Sequence, residues 1–175
     1  MSRGLARATV NYRITSGKLT VRARSRIHDT TTVWDRITGD VEADPDTLAT
    51  AGAAATFRVD MTSFDAGDWL RNRKLRKDFD LEGHPAATFE LRALRDVRRD
   101  GAAFTATADG VLRWRGKEVA LTLAGKGTLD AAGVEAAATF ELDIRDLGLS
   151  APRFLMLKME DEVAIEVTVR GAVAS

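Results

Sequence analysis

The 175-residue chain contains no cysteine, so it has no disulfide framework, no thiolate nucleophile and no zinc–thiolate site. It also lacks an excess of charge of either sign, because 26 Lys and Arg residues balance 26 Asp and Glu residues. A protein without net positive charge has no overall field that attracts a polyanion. We therefore expect no nucleic-acid partner.

Long apolar runs are missing as well. No stretch approaches the roughly 20 apolar residues of a membrane-spanning helix, and residues 1–17 lack the apolar core of a signal peptide. From the sequence as written we expect a soluble, cytoplasmic protein; it would be periplasmic if a leader had been removed. The length, 45% hydrophobic residues and 30% charged residues are typical of one globular domain, which we place at residues 1–175.

Residues suited to catalysis are few. His28 and His84 have no ligand spacing around them, and the chain has no nucleophile motif or glycine-rich phosphate loop. Asp35 falls on the inward side of a predicted strand, where burial would raise its pKa. A one-residue bulge that turns Asp35 outward and Trp34 inward is the favoured interpretation. We predict no catalytic residues, no metal ligands and no enzymatic activity; an enzyme using Asp35 or His84 is the alternative.

Apolar and polar residues alternate with period two along almost the whole chain. This pattern is typical of half-buried strands. Turn residues divide these segments at Ser16–Gly17, 44–46, Asp100–Gly101 and 130–133. The pattern predicts an all-β protein of eight or nine antiparallel strands. A closed barrel is favoured because closure removes exposed sheet edges. A two-sheet sandwich is the alternative.

Many predicted inward positions carry small side chains, and these leave space between the strands. A barrel lined in this way either collapses or encloses an apolar guest. The alternative, that the chain is simply rich in alanine, is supported equally by the pattern. The small inward residues are Ala53, Ala55, Ala87, Ala93, Ala106, Ala108, Ala136 and Ala138, with Gly39 and Gly110.

One segment breaks the alternation. Residues 66–77 predict a short helix with Asp65 as its N-cap and with Trp69, Leu70 and Leu75 on its buried face. Its cluster of basic residues is most simply a solvated face. Alternatively, the helix lies at the rim of the barrel, where Arg71 or Arg73 would contact an anionic head group.

Four motifs in order resemble the YceI-like family of polyisoprenoid-binding proteins. They are Arg71–Leu75 continuing through His84–Phe89, then Gly110–Gly116, Arg145–Leu149 and Asp161–Val163. Asn72 stands where the family commonly has aspartate. The resemblance covers most of the chain.

The resemblance implies an eight-stranded, lipocalin-like barrel with a long apolar cavity for an isoprenoid chain, in a family whose members often form dimers. We accordingly predict a protein that carries or sequesters an apolar lipid such as a quinone or a polyprenyl phosphate. The alternatives are a small enzyme of calycin-like form and a ligand-free barrel that acts through its surface. The residues predicted to contact the lipid are Phe57, Phe89, Phe104, Leu112, Trp114, Leu121 and Phe140 on the cavity wall and Arg71 at the rim.

Overall fold

A computed structural model describes residues 9–151, 153–154 and 157–174. The remaining residues of the predicted 1–175 domain, which are 1–8, 152, 155–156 and 175, lie outside the described residues. The elements are β1 (Val10–Ala23), β2 (Thr30–Trp34), β3 (Ile37–Ala43), α1 (Leu48–Ala51), β4 (Ala53–Asp60), β5 (Phe64–Asp65), α2 (Trp69–Asp78), β6 (Ala86–Asp100), β7 (Ala103–Trp114), β8 (Lys117–Leu129), β9 (Gly133–Asp143), a 3₁₀ helix (Ile144–Leu147), β10 (Arg153–Phe154), β11 (Leu157–Lys158) and β12 (Glu162–Val173).

Eight of these strands close into an antiparallel barrel in the order β1, β3, β4, β6, β7, β8, β9 and β12, and β12 pairs back onto β1. Strands β2 and β5 lie outside this ring: β2 pairs with the second half of β1, and β5 pairs with β2. The prediction of a closed antiparallel barrel with a short helix is confirmed, and the sandwich is wrong.

The predicted turn at Ser16–Gly17 is wrong, because β1 runs through it as one strand. The register between β1 and β12 shifts between Ile14 and Ser16, which marks a β-bulge. The extra residue switches the inward-facing positions of β1 from even-numbered to odd-numbered residues. Tyr12 and Ile14 are buried before the bulge, and Leu19 faces the interior after it.

A second irregularity separates β2 from β3. Trp34 ends β2 and is buried, whereas Asp35 is exposed, so the interpretation that turned Asp35 outward is confirmed. In β6 a further register shift follows Leu91. It turns Ala93 outward and Leu94 into the interior, so the prediction that Ala93 faces inward is wrong.

The two ends of the barrel differ. At one end, called the helical end, β1 finishes and β6 begins, and the chain between the strands forms α2 and the 3₁₀ helix. A core cluster that includes Trp34, Leu75 and Leu147 fills this end. The opposite end, called the Tyr12 end, has its own cluster around Tyr12 and Leu48.

Helix α2 begins later than predicted. Asp68, not Asp65, is its N-cap, and the Asp68 side chain accepts a hydrogen bond from the backbone N–H of Arg71 at 2.9 Å. Leu75 is buried as predicted, but Trp69 and Leu70 are exposed. At 3.6 residues per turn these two positions lie about 120–140° around the helix from Leu75. The contact made through Leu75 therefore leaves them in solvent.

Candidate functional site

The interior of the barrel holds a cavity of about 300 Å³. Every strand of the ring contributes apolar side chains to its wall, and among the described lining residues only Thr88 and Lys126 are polar or charged. The volume lies at the lower end of the roughly 300–1,000 Å³ that is usual for small-molecule sites. Because the wall offers so few polar groups, it suits an apolar guest.

All seven apolar residues predicted to contact a ligand lie on this wall. They come from five strands: Phe57, Phe89, Phe104, Leu112, Trp114, Leu121 and Phe140. Their placement follows from the alternation, since the inward side of a strand in a closed barrel is the side that can line a cavity. That these side chains contact a bound lipid stays a prediction.

Small side chains leave much of the space. Seven of the eight alanines predicted to face inward line the cavity, with Ala93 as the exception. Ala106, Gly125 and Ala138 lie side by side on neighbouring strands, where Ala106 pairs with Gly125 and Gly125 with Ala138. These three residues make a stretch of wall with almost no side-chain volume.

Gly39 and Gly110 have a different role from the one expected. A Cβ atom on Gly110 would overlap the ring of Phe89, and one on Gly39 would lie 3.1 Å from the ring carbon Cδ1 of Phe57. The rings of Phe57 and Phe89 stack on each other with centroids 6.4 Å apart. Gly110 therefore makes room for the aromatic pair, whereas Gly39 mainly allows close approach to the carbonyl oxygen of Thr56, and neither adds open volume.

Polar contacts cross the Tyr12 end, from strands β1 and β6 to the neighbouring turns. The hydroxyl of the fully buried Tyr12 donates a hydrogen bond to the carbonyl oxygen of Asp130 at 2.5 Å. Arg99 Nη2 donates to the carbonyl oxygens of Pro45 and Leu129, both at 3.1 Å. Burial, followed by the charge of Asp130, raises the pKa of Tyr12, so its hydroxyl stays a donor at neutral pH.

At the helical end the wall is interrupted between β8 and β9. These strands pair only between Ala124–Thr139 and Leu129–Val134. Beyond Ala124 and Thr139, towards the helical end, they separate. The 3₁₀ helix and the residues after it fill the space, and Leu147 and Leu149 complete the cavity wall there. This part of the wall is therefore held by side chains and not by a strand ladder.

An arginine and two carboxylates hold the 3₁₀ helix in place. Arg145 Nη2 lies 2.6 Å from Asp143 Oδ2, and Arg145 Nε lies 3.7 Å from Asp161 Oδ2. The backbone N–H of Ile144 donates to the carbonyl oxygen of Asp161 at 2.9 Å. Hydrogen bonds from Arg145 lower the pKa of Asp143, so this carboxylate stays ionised below its usual range. Sequence reasoning did not identify these anchors, although Arg145 and Asp161 lie in the motifs that carry the family resemblance.

Helix α2 lies across the helical end from β5 to the β7–β8 turn. At its start, Asn72 Oδ1 accepts a hydrogen bond from the backbone N–H of Ala66 at 2.6 Å. After its last turn, the carbonyl oxygen of Phe79 accepts from Arg115 Nη1, and Phe79 itself lines the cavity. Asn72 is thus a positioning residue that sequence reasoning noticed only as a departure from the family pattern.

Arg71, predicted as the rim contact, is not among the residues of the cavity wall. Its Nε lies 3.6 Å from Asp68 Oδ2 on the first turn of α2. Arg115 is closer to the apolar wall, because its guanidinium lies 5.7 Å from the ring centroid of Trp114. The Nε atom of Arg115 is buried and has no hydrogen-bond partner among the described residues.

The structure does not place Asp35 or His84, the residues of the alternative enzyme prediction, in a metal-binding group. Asp35 is exposed, and His84 Nε2 lies 3.9 Å from Asp80 Oδ2 near the surface. Within the part of the chain that the structure describes, no three His, Asp or Glu side chains are grouped so that they could hold a metal ion. No helix in that part has the length and apolar character needed to cross a bilayer.

Comparisons with known proteins agree with this architecture. The family model for the YceI-like domain matches residues 7–170, whereas a comparison with curated protein sequences found no match. Among solved structures, BcnA of Burkholderia cenocepacia is 22% identical, with a TM-score of 0.70 over 88% of this chain and 95% of that one. A polyisoprenoid binding domain from Saccharophagus degradans, implicated in plant cell wall breakdown, is 16% identical, with a TM-score of 0.75 over 94% and 99%. The YceI protein of Campylobacter jejuni is 13% identical, with a TM-score of 0.67 over 87% and 90%. At these identities the structural likenesses establish a shared fold.

Proposed function

The chain belongs to the YceI-like domain family, and we propose that it binds an isoprenoid-like lipid in the barrel and carries or sequesters it without chemical change. The observation that carries the proposal is the apolar cavity of about 300 Å³, to which every strand of the ring contributes. One similar structure is that of a polyisoprenoid binding domain, which is consistent with such a ligand.

Burial of the lipid tail supplies the affinity in this proposal. Each methylene group moved from water to an apolar site contributes about 0.8 kcal/mol. A tail of several isoprene units therefore binds without polar contacts along the wall. The wall residues that the structure describes also include no set of converging acids, bases or nucleophiles, which favours a binding protein over an enzyme.

The tail is proposed to occupy the cavity with its head group at the helical end, because polar contacts cross the Tyr12 end. The head group is a quinone or a polyprenyl phosphate. Arg115 supports the phosphate, since its buried Nε, beside Phe79 and Trp114, has no hydrogen-bond partner among the residues that the structure describes. This residue replaces Arg71 as the favoured head-group contact.

The first experiment asks whether the purified protein contains a lipid. Native mass spectrometry followed by organic extraction is expected to detect a co-purifying isoprenoid. Lipid-free protein is expected to take up added polyprenol, ubiquinone or polyprenyl phosphate. Protein that arrives empty and refuses all three would contradict the proposal.

Paired substitutions locate the site. Phe104→Asp and Phe140→Asp place a charge on the cavity wall and are expected to abolish uptake. Thr105→Asp and Thr139→Asp place the same charge on an adjacent, exposed residue of the same strand. These two variants are expected to bind lipid normally. Circular dichroism of each variant separates loss of binding from loss of fold.

One further variant identifies the head group. Arg115→Gln is expected to weaken uptake of polyprenyl phosphate and to leave uptake of polyprenol unchanged, because only the phosphate needs the guanidinium. Equal weakening of both would assign Arg115 a structural role only. Preference of the parent protein for ubiquinone over both polyprenyl compounds would favour the quinone.

A further inference from the structure

Large apolar side chains are exposed at the helical end. Within the described ranges, Ile27 is 75% exposed, Trp69 68% and Leu70 60%. The remaining large exposed apolar residue among those described is Val173, at 43% exposure, and it lies at the Tyr12 end. Large apolar side chains that are exposed together on one surface mark an interaction site.

The strand pairing brings these three residues to one side of the helical end. Ala23 pairs with Thr30, so the loop of residues 24–29 that carries Ile27 projects from this end. Val33 of β2 pairs with Asp65 of β5, and α2 starts four residues later with Trp69. The loop and the first turn of α2 therefore stand beside each other along the β2–β5 edge.

Basic residues surround the exposed apolar ones. Residues 24–29 and 65–82 contain seven Arg and Lys residues and six Asp and Glu residues, and ion pairs join three of the basic residues to acidic ones. Arg73 lies four positions after Trp69, and Lys77 lies seven after Leu70, so both continue the exposed side of α2. Lys74 is paired with Asp78 at 2.9 Å, whereas Arg73 and Lys77 make no ion pair with the described residues.

Acidic residues cluster at another part of the helical end. Glu141, Asp143, Asp161 and Glu162 lie where β9 and β12 meet the 3₁₀ helix, on the far side of β1 from α2. An anionic surface is thus attracted by the exposed Arg73 and Lys77 of α2 and repelled from the β9–β12 side.

We propose that Ile27, Trp69, Leu70, Arg73 and Lys77 form a docking surface for the face of an anionic lipid bilayer. Tryptophan and leucine exposed beside arginine and lysine can insert at the level of the head groups, while the cations contact anionic lipids. This inference rests on the proposed function, because a lipid carrier must meet the membrane that holds its ligand. It adds that the barrel contacts the membrane with its helical end, where the barrel wall is interrupted.

Vesicle binding tests the docking surface directly. The parent protein is expected to co-sediment with vesicles of phosphatidylcholine and phosphatidylglycerol and much less with phosphatidylcholine alone. Trp69→Ala combined with Leu70→Ala is expected to lower the partition coefficient about tenfold or more, because two apolar anchors are lost. Arg73→Gln combined with Lys77→Gln is expected to lower it on the anionic vesicles only, and added salt is expected to act in the same direction.

Two controls sharpen the result. Val173→Ala removes an exposed apolar side chain from the opposite end and is expected to leave vesicle binding unchanged. Anionic vesicles are expected to shift the tryptophan emission of the parent to the blue, since Trp69 is exposed while Trp34 and Trp114 are buried. Trp69→Phe is expected to abolish the shift and retain most of the binding.

Absence of parent binding to anionic vesicles, or equal binding by the Trp69→Ala/Leu70→Ala variant, would overturn the proposal. Self-association of the parent that the same variant abolishes, with no vesicle binding, would assign the surface to a second copy of the chain and overturn it as well. Uptake of detergent-solubilised polyprenol separates this inference from the proposed function. The variants are expected to keep that uptake, whereas a parent that binds vesicles but takes up no lipid would refute the carrier function alone.

Discussion

Filling the cavity with a larger side chain is expected to stabilise the lipid-free protein. Ala138 lies on the wall beside Gly125, where side-chain volume is smallest. Ala138→Leu adds three carbon atoms, worth up to about 2.4 kcal/mol at about 0.8 kcal/mol each, less about 0.5–1 kcal/mol for lost side-chain freedom. The free energy of unfolding should rise by about 1.5 kcal/mol. For a domain of this size that is a rise in Tm of about 3–6 °C.

Whether Ala138→Leu raises or lowers the free energy of unfolding distinguishes an open interior from a packed one. In a packed core the same substitution costs about 1–3 kcal/mol, because the added atoms force neighbouring side chains out of place. Differential scanning calorimetry of lipid-free protein measures the difference. Ala124→Leu, on the exposed side of the neighbouring strand, is the matched control and is expected to leave Tm nearly unchanged.

The same substitution should weaken lipid binding, since the new side chain occupies part of the volume that the tail needs. Added isoprenoid stabilises whichever protein binds it. It is therefore expected to raise the Tm of the parent more than that of Ala138→Leu. A lower Tm for lipid-free Ala138→Leu, with Ala124→Leu unchanged, would refute the reasoning that this part of the wall faces open space.

Two other predictions concern glycine packing and pH. Gly110→Ala is expected to cost about 1–3 kcal/mol by urea unfolding, because its Cβ would overlap the Phe89 ring. In Gly125→Ala the nearest atoms would be 3.8 Å away, so a gain of about 0.4–1 kcal/mol is expected; equal effects would contradict this reading. The carboxylate of Glu141 raises the pKa of Glu162 above its ordinary 4.5, so the folded state holds that proton more readily and stability falls as pH rises through this range. Glu141→Gln should therefore raise the urea midpoint at pH 7 and change it little at pH 4; an unchanged midpoint at pH 7 would argue against the repulsion.

The barrel was predictable where alternation runs without a bulge. Strand β7 keeps one inward side from Phe104 to Trp114, so its register and lining follow from the sequence. The bulges were not predictable in the same way. After Leu91 both Ala93 and Leu94 are apolar, and either can face the interior. Only the pairing of β6 with β7 selects Leu94.

The cavity wall was also more predictable than the helical end. An inward position in a closed barrel is a wall position, whatever its neighbours along the chain. The orientation of α2 depends on tertiary contacts instead: Leu75 is buried, and Asn72 and Phe79 bind partners outside the helix. The role of the 3₁₀ helix follows from the separation of β8 and β9, which the alternation in either strand does not reveal.

The difference between the two ends indicates how a guest would enter and leave. Opening the Tyr12 end means separating the buried Tyr12 hydroxyl and Arg99 from their carbonyl partners, and each buried polar group left without a partner costs about 1–3 kcal/mol. At the helical end, Arg145 holds the 3₁₀ helix through partly exposed ion pairs, which contribute about 1 kcal/mol or less. Between the described strands β8 and β9 there is also no ladder at this end that would have to break. Exchange is therefore expected at the helical end, the end at which the proposed docking surface would meet the membrane.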